Sequence, residues 1–556
     1  MFKKIKLSYA KHAKTYTLLI AIAAALGLLF TTLYSGWHAN LLASTDSDGI
    51  VNTYLFQSFQ IKDMIVPGNH TLLIKWPLFA IQSLFTYNFT SYAILNFLLL
   101  FGTIVGWLVG LTLLFGKRHF VLICIGLSVI LLGTSLFPYS LLYGSLRNIE
   151  YPIGLFYILA IRSYLSTKIF TRKHIAQLIT AFALFTLAAS GDSLMVISFA
   201  APLFVIGLVY WIKGGKLNKK ILYALAGTFA SIALALIIQR VIPLTGIALL
   251  HFDSAFNPVI VRFELLWPSL AYAFEQLFNL IGASIAGKAI TPANAIYFFK
   301  FATLALGIIG LIVGVVQLIK AKTTNMLNGN TLAYGWLGIS FFTTFLAYVL
   351  FGMAYNQLPD GTLVDAGSVR YIELLPLLTV AGLILLFLSL PKNRQYIVLG
   401  LFMTAAFGIA LISMNAIRAD TLKNDEFANA RIATQKEIAS ILKKNDVQFL
   451  GSGYWDGATT RFWAQDTIDY VSISSCNVSG PDFNTRSSWL NSGHYDRSAL
   501  LVDRHGRSAA YWGCTDQQIL DIYGAPKQVI AVDASTNSPT VWLYDYDIRS
   551  KFVKNY

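Results

Sequence analysis

Residues 44–79 read STDSDGIVNTYLFQSFQIKDMIVPGNHTLLIKWPLF. This stretch is too polar to lie in hydrocarbon and far longer than an ordinary connection between helices. It falls inside a segment, 37–90, that separates the apolar run TYTLLIAIAAALGLLFTTLYSGW from the next one. Its reading decides the fold: a chain threaded through a bilayer, with a large first loop on one side. Aromatic and apolar residues within the loop suit amphipathic helices lying along the membrane surface.

The composition of the whole chain agrees with that reading. Of 556 residues, 56% are apolar and only 12% charged, against roughly 25% charged in soluble proteins. Most of the chain belongs in lipid. Apolar runs of about 20 residues, the length that crosses a hydrocarbon core, predict about eleven transmembrane helices. They lie near 16–36, 91–115, 119–137, 151–170, 175–191, 194–212, 221–242, 296–319, 331–352, 369–390 and 396–415. The first lacks a small-residue cleavage site and ends in aromatic residues, so it stays as an anchor rather than a removable signal.

Alternate short connections carry Lys3, Lys4, Lys6, Lys11 and Lys14; Lys117 and Arg118; Lys168, Arg172 and Lys173; Lys213, Lys216, Lys219 and Lys220; Lys320 and Lys322; Lys392 and Arg394. No acidic residue accompanies them, which places these segments and the N-terminus in the cytoplasm. The net charge of +15 therefore reports topology, and nucleic acid is excluded as a partner. An odd number of spans puts the tail from 416 outside the cytoplasm.

The tail, 416–556, carries 15 basic and 16 acidic residues and no run long enough to span. A helical pattern at 420–444 precedes strand-like runs VQFLG, IDYVSI, ALLVD, KQVIAV and TVWLYDY, with a helix at DQQILDIYG. The expected arrangement is a 1–415 membrane domain followed by a small α/β or α+β exterior domain. Cys476 and Cys514 both fall in the tail, where an oxidising exterior favours a disulfide over two free thiols; Cys124 lies in the third span.

All eleven acidic residues outside the tail fall on the exterior side: Asp46, Asp48, Asp63, Glu150, Asp192, Asp253, Glu264, Glu275, Asp360, Asp365 and Glu373. Such one-sided clustering, beside Arg147, Arg240 and Arg370, suggests a polar chamber opening outward. Asp46 and Asp48 leave the first span one residue apart. Either caps the following helix, or one accepts a proton from an attacking hydroxyl. In SLRNIEYP, Arg147 and Glu150 stand three apart, the spacing of a helix-face ion pair. Asp192 occupies the SGDS turn between the fifth and sixth spans. In GSVRYIELLPLL, Arg370 and Tyr371 open the tenth span; Arg370 either holds a phosphate with its planar fork or pairs with Glu373 at the interface. Between the seventh and eighth spans, FELLWPSLAYAFEQLFNLIGA reads as an interfacial or re-entrant helix with Trp267, Phe274 and Phe278 dipping into the bilayer, or else as an additional span.

Taken together, the DSD at the first loop, NIEYP near the fourth span, the RY…P run entering a late span and the C-terminal exterior domain resemble the GT-C superfamily of integral-membrane glycosyltransferases. The tail is also similar to the exterior domain of bacterial members, through GYWDGATTRFWAQDTIDYV and YGAPKQVIAV…VWLYDYDI. The resemblance covers nearly the whole chain in layout, on short motifs. It implies transfer of a sugar from a polyprenyl-phosphate-linked donor to a glycan, lipid or protein acceptor, on the outer face of a bacterial plasma membrane. Carried over, Asp46 or Asp48 is the catalytic base of an inverting displacement. Arg370, helped by Arg147 or Lys75, neutralises the leaving phosphate. Glu150, His70, Asp192 and Tyr371 line the substrate site. Some relatives use a divalent cation such as Mg or Mn, which Asp46 with Asp48 could ligate, without a ligand set that commits to it. Two other classes remain: a transporter or flippase of lipid-linked glycans, for which the sequence shows no internal repeat, and a non-catalytic scaffold with a glycan-binding tail.

Overall fold

The computed structural model describes residues 62–67, 73–85, 88–132, 147–167, 171–214, 219–250, 260–326, 329–351, 355–357, 363–365, 371–465, 467–479, 485–486, 493–503, 514–533 and 539–552, with isolated positions at 22–45, 141 and 488–489. The main helices are α1 (Trp76–Ser83), α2 (Phe89–Phe115), α3 (Phe120–Leu131), α4 (Glu150–Ser166), α5 (Arg172–Gly191), α6 (Ala201–Ile212), α7 (Lys219–Val241) and α8 (Phe263–Leu280). They continue with α9 (Ala295–Lys320), α10 (Gly329–Leu350), α11 (Leu374–Ser389), α12 (Lys392–Lys444), α13 (Tyr454–Trp463) and α14 (Asp516–Tyr523).

Among the described residues, six helices are long and apolar enough to cross a membrane, and two shorter apolar helices accompany them, Val196–Ile212 and Leu374–Ser389. The chain is thus a mostly helical, multi-pass membrane protein by length and composition. The first expected span lies almost wholly outside the described residues, so the described residues do not give the count of eleven. Each of the other ten expected spans coincides with a helix in part or whole.

Small residues set the tightest helix contact. On α9, Gly307 and Gly310 face Thr379 and Gly382 of α11, and a Cβ built at Gly310 would lie 1.8 Å from the Gly382 carbonyl oxygen. Lipid offers no hydrophobic drive between helices, so close backbone approach through glycine is a main source of their cohesion. The indole of Trp107 on α2 donates to the Leu377 carbonyl oxygen at 3.0 Å, fully buried, which fixes the start of α11 beside α2.

The strands in chain order are β1 (Met64–Pro67), β2 (Ala248–Leu250), β3 (Tyr355–Gln357), β4 (Leu363–Asp365), β5 (Phe449–Ser452), β6 (Asp469–Ser475), β7 (Val478–Ser479), β8 (Thr485–Arg486), β9 (Ser498–Val502), β10 (Gln528–Ala531) and β11 (Thr540–Tyr544), and the tail holds a six-stranded mixed sheet of order β10–β11–β9–β5–β6–β7. β5 pairs in parallel with β6 and with β9. The connection from β5 to β6 is α13, so these three elements form a βαβ unit. Burial on both faces explains why β5 and β9 read as continuous apolar runs. Leu450, Ala499, Leu501, Val541 and Leu543 face α13 and the end of α12. Phe449, Leu500, Val502, Trp542 and Tyr544 face α14. The capping box of Thr515 and Gln518 starts α14. A Cys476–Cys514 disulfide ties the strand edge to the segment before α14.

Two features differ from the expected division of the chain. The position 415/416 falls inside α12, one helix of 53 residues, so no linker separates membrane body from tail. The core over one face of the sheet also includes Met64, Phe79, Tyr92, Ile242 and Ile247, so it is shared with the first loop and with the tail-side ends of α2 and α7. Within 263–283, residues Phe263–Leu280 form a single amphipathic helix, α8. Phe274 and Phe278 lie against Phe345 and Phe301, while Trp267 is 76% exposed.

Candidate functional site

Four chain segments bring five ionisable side chains into the interior at the tail-side helix ends. Lys75 closes a 3-10 turn, Leu73–Lys75, that packs on α5 and leads into α1. Glu150 is the first residue of α4. Asp192 follows the last residue of α5. Glu373 immediately precedes α11. With Arg147 these residues are between 0% and 4% exposed.

Their pairing is specific. Lys75 Nζ lies 3.2 Å from Glu150 Oε1, and Glu150 Oε2 accepts from the Asn148 amide at 2.9 Å. The Arg147 fork engages Asp192 twice, with Nη2 donating to Oδ1 at 2.9 Å and Nε donating to Oδ2. Asp192 Oδ1 also accepts from the Leu194 amide at 2.9 Å, so the turn-residue role read from SGDS and the charge role coexist. The Arg147 guanidinium stacks over the Tyr371 ring, 4.7 Å from its centroid. The Tyr151 hydroxyl donates to Glu373 Oε2 at 3.2 Å.

Burial is the largest influence on both cations. It drives the Lys75 ammonium below its ordinary pKa, and the attraction of Glu150 recovers only part of the loss. It opposes the Arg147 cation as well, yet the charge and hydrogen bonds of Asp192 outweigh it and hold the guanidinium protonated.

Of the expected substrate-site residues, Lys75, Arg147, Glu150, Asp192 and Tyr371 come together here. Asp46, Asp48, His70 and Arg370 lie outside the described residues. The expected Arg147–Glu150 pair is corrected. Arg147 precedes the helix and reaches Asp192, while Glu150 folds back onto the Asn148 amide and takes Lys75. Glu373 and Tyr151 are the members that the sequence did not single out for the site. Their signal was present, since Glu373 belongs to the one-sided set of acidic residues and Tyr151 sits inside NIEYP. Among the described residues no three His, Cys, Asp or Glu side chains converge as metal ligands.

The support behind the cluster comes from neighbouring helices. Gln239 on α7 donates to the Ser190 carbonyl oxygen at 2.9 Å, bracing the end of α5 where Asp192 begins. α4 packs along α5 and α2, and α11 packs along α9, so the ends of α4, α5 and α11 that carry the cluster are held by extended helix contacts rather than by loops alone.

No family model matches the sequence, and no curated protein matches it. Among solved structures, the chain is similar to ArnT from Cupriavidus metallidurans in the apo state, at 11% sequence identity and a TM-score of 0.47. That likeness covers 97% of this chain and 99% of the other.

Proposed function

We propose that the chain is a membrane glycosyltransferase of GT-C layout that moves a sugar from a polyprenyl-phosphate-linked donor to an acceptor on the non-cytoplasmic face. The observation that carries the reading is the buried set Lys75, Arg147, Glu150, Asp192 and Glu373, gathered from four segments at one end of the helices. Charges are costly to bury, and a set of them held in the interior by several segments is what a binding or catalytic site requires. A phosphate-linked donor has a negative leaving group, for which Arg147 and Lys75 supply positive charge already fixed in place. Arg370, next in sequence to Tyr371, is the proposed principal phosphate ligand. The acceptor hydroxyl must lose its proton, and Asp46 or Asp48 is the proposed base, with Glu150, His70 and Asp192 lining the substrate.

Lys75 and Arg147 are each engaged by a carboxylate, which offsets the repulsion between the two cations and orients them before substrate arrives. In this reading the polytopic body sits in the plasma membrane with its tail outside. The test is direct. Membranes holding the full chain are supplied with radiolabelled polyprenyl-phosphate sugars, and label is followed into extracted envelope glycans. Transfer by the native protein and its loss in Asp46→Asn/Asp48→Asn support the reading. Equal transfer by that variant, or movement of the lipid-linked sugar across the bilayer without transfer, rejects it.

A further inference from the structure

The tail reaches back onto the first loop at one defined place. β1 (Met64–Pro67) pairs in parallel with β2 (Ala248–Leu250) and antiparallel with β8 (Thr485–Arg486), giving a three-stranded sheet from three distant parts of the chain. Just before β1, Asp63 has φ of 65°, a left-handed conformation that is uncommon outside glycine and in which Asp is enriched. Its amide donates to the Gly246 carbonyl oxygen at 2.9 Å. From the tail, Arg486 Nη1 donates to Asp63 Oδ1 at 2.8 Å and to the Lys62 carbonyl oxygen at 3.1 Å. Met64, the next residue, is fully buried in the core that the tail shares with the membrane body.

Two routes, one along the chain and one through a hydrogen bond, lead from this clasp toward the buried charges. Forward from β1, the chain runs eight residues from Pro67 to Lys75. Backward from Gly246 and β2, it runs into α7, whose Gln239 holds the Ser190 carbonyl oxygen two residues before Asp192. The clasp is thus connected to Lys75 of one ion pair by the chain itself and to Asp192 of the other through the Gln239–Ser190 bond.

We infer that Arg486 is a positioning residue: through Asp63 it lets the tail set the first loop, and thereby the placement of Lys75 and Asp192 for sugar transfer. Left-handed backbone held by a distant cation is the type of strained element that persists only where its surroundings enforce it. Its role for activity rests on the transferase reading, whereas its mechanical role does not.

Hydrogen exchange on the full chain in lipid nanodiscs tests the mechanical part. Arg486→Gln removes both bonds. Asp63→Asn tolerates the same backbone conformation and removes only the charge. Each is expected to speed exchange at 64–67, 247–250 and 73–76 by roughly tenfold, the change that losing one charge-assisted bond brings. Arg486→Lys, which retains one donor to Asp63, is expected to recover part of it. The amides of β5 and β9 keep their native rates. Unchanged exchange at 73–76, or equal loosening of β5 and β9, overturns the inference. In the transfer assay Arg486→Gln lowers turnover roughly tenfold with partial recovery in Arg486→Lys, on the same basis; full turnover also overturns it. Coupled exchange in a native protein that transfers no sugar would reject the transferase reading and leave the clasp standing.

Discussion

Lys75 and Glu150 form an ion pair 3.2 Å long in which the side chains are 0% and 1% exposed to solvent. One partner belongs to the long first loop and the other to the start of α4, so the pair fastens the loop to the helix body. Removing one partner strands the other charge in the interior, which costs about 3–5 kcal/mol. Lys75→Met and Glu150→Gln are each expected to lower the thermal unfolding midpoint of the detergent-solubilised protein sharply. The double variant Lys75→Met/Glu150→Met is expected to recover most of the midpoint while remaining inactive in sugar transfer. Stability in the double variant as poor as in the singles would contradict this account.

The contact of Gly310 with Gly382 makes an opposite kind of prediction, from crowding. An added Cβ at Gly310 meets the Gly382 backbone, while one at Gly408 on α12 meets nothing within 4 Å. Gly310→Ala must push α9 and α11 apart, at a cost of about 1–3 kcal/mol or more. Gly408→Ala is expected to be neutral or stabilising by up to about 1 kcal/mol, because alanine is the better helix former. Unfolding midpoints of the two variants, measured side by side, decide the point.

The disulfide between Cys476 and Cys514 closes a loop with a sequence separation of 38. In the chain-entropy account this restricts the unfolded tail by about 4 kcal/mol. Cys476→Ser/Cys514→Ser is expected to lower tail stability by that order and to leave helix content in the membrane body unchanged. Tryptophan fluorescence during denaturant unfolding, with and without reductant, gives the difference.

Acid should weaken the tail through Asp547. Burial alone would raise its carboxyl pKa, but hydrogen bonds and charge from Arg549 outweigh burial and hold it below the ordinary carboxylate range. Arg549 Nε donates to Oδ1 at 3.0 Å and Nη2 donates to Oδ2 at 2.6 Å. A depressed carboxylate stabilises the fold above its unfolded value of about 4 and loses that contribution as pH falls through the folded value. Exchange protection around Tyr495, whose amide donates to Asp547 Oδ2, is expected to drop in the native chain between about pH 5 and about pH 3, across the ordinary carboxylate range. In Asp547→Asn the protection is lower already at neutral pH and does not follow that acid step.

The apolar runs announced ten helices because a span must satisfy its backbone internally and clothe itself in apolar side chains. The tail strands were equally legible: VQFLG became Phe449–Ser452 and TVWLYDY became Thr540–Tyr544. α13 was not foreseen. Its residues, YWDGATTRFW, mix β-branched, aromatic and glycine positions, and tertiary packing against Tyr470 and Trp489 overrides that weak local preference. The end of the membrane body was also hidden, since helix propensity continues unbroken while hydropathy falls within α12.

For the site, composition found which side the charges occupy but not which partner each takes. Spacing suggested Arg147 with Glu150, three residues apart. The actual partners are 45 positions away for Arg147 and 75 away for Glu150, separations that only tertiary packing supplies. Tyr151 was overlooked for the same reason, because a buried hydroxyl announces itself only by its acceptor.

A rod of 53 residues without interruption is about 80 Å long at the standard helical rise. It therefore fixes not only how far the tail sheet stands along the helix axis from the apolar stretch Arg394–Ile412 but also its azimuth. One residue inserted near 416 would swing everything beyond it through about 100° and carry it 1.5 Å outward. Seven would restore the heading to within about 20° yet lift the tail by some 10 Å. Neither leaves Arg486 opposite Asp63, so the clasp depends on the length of this helix to the single residue, even where its side chains touch nothing.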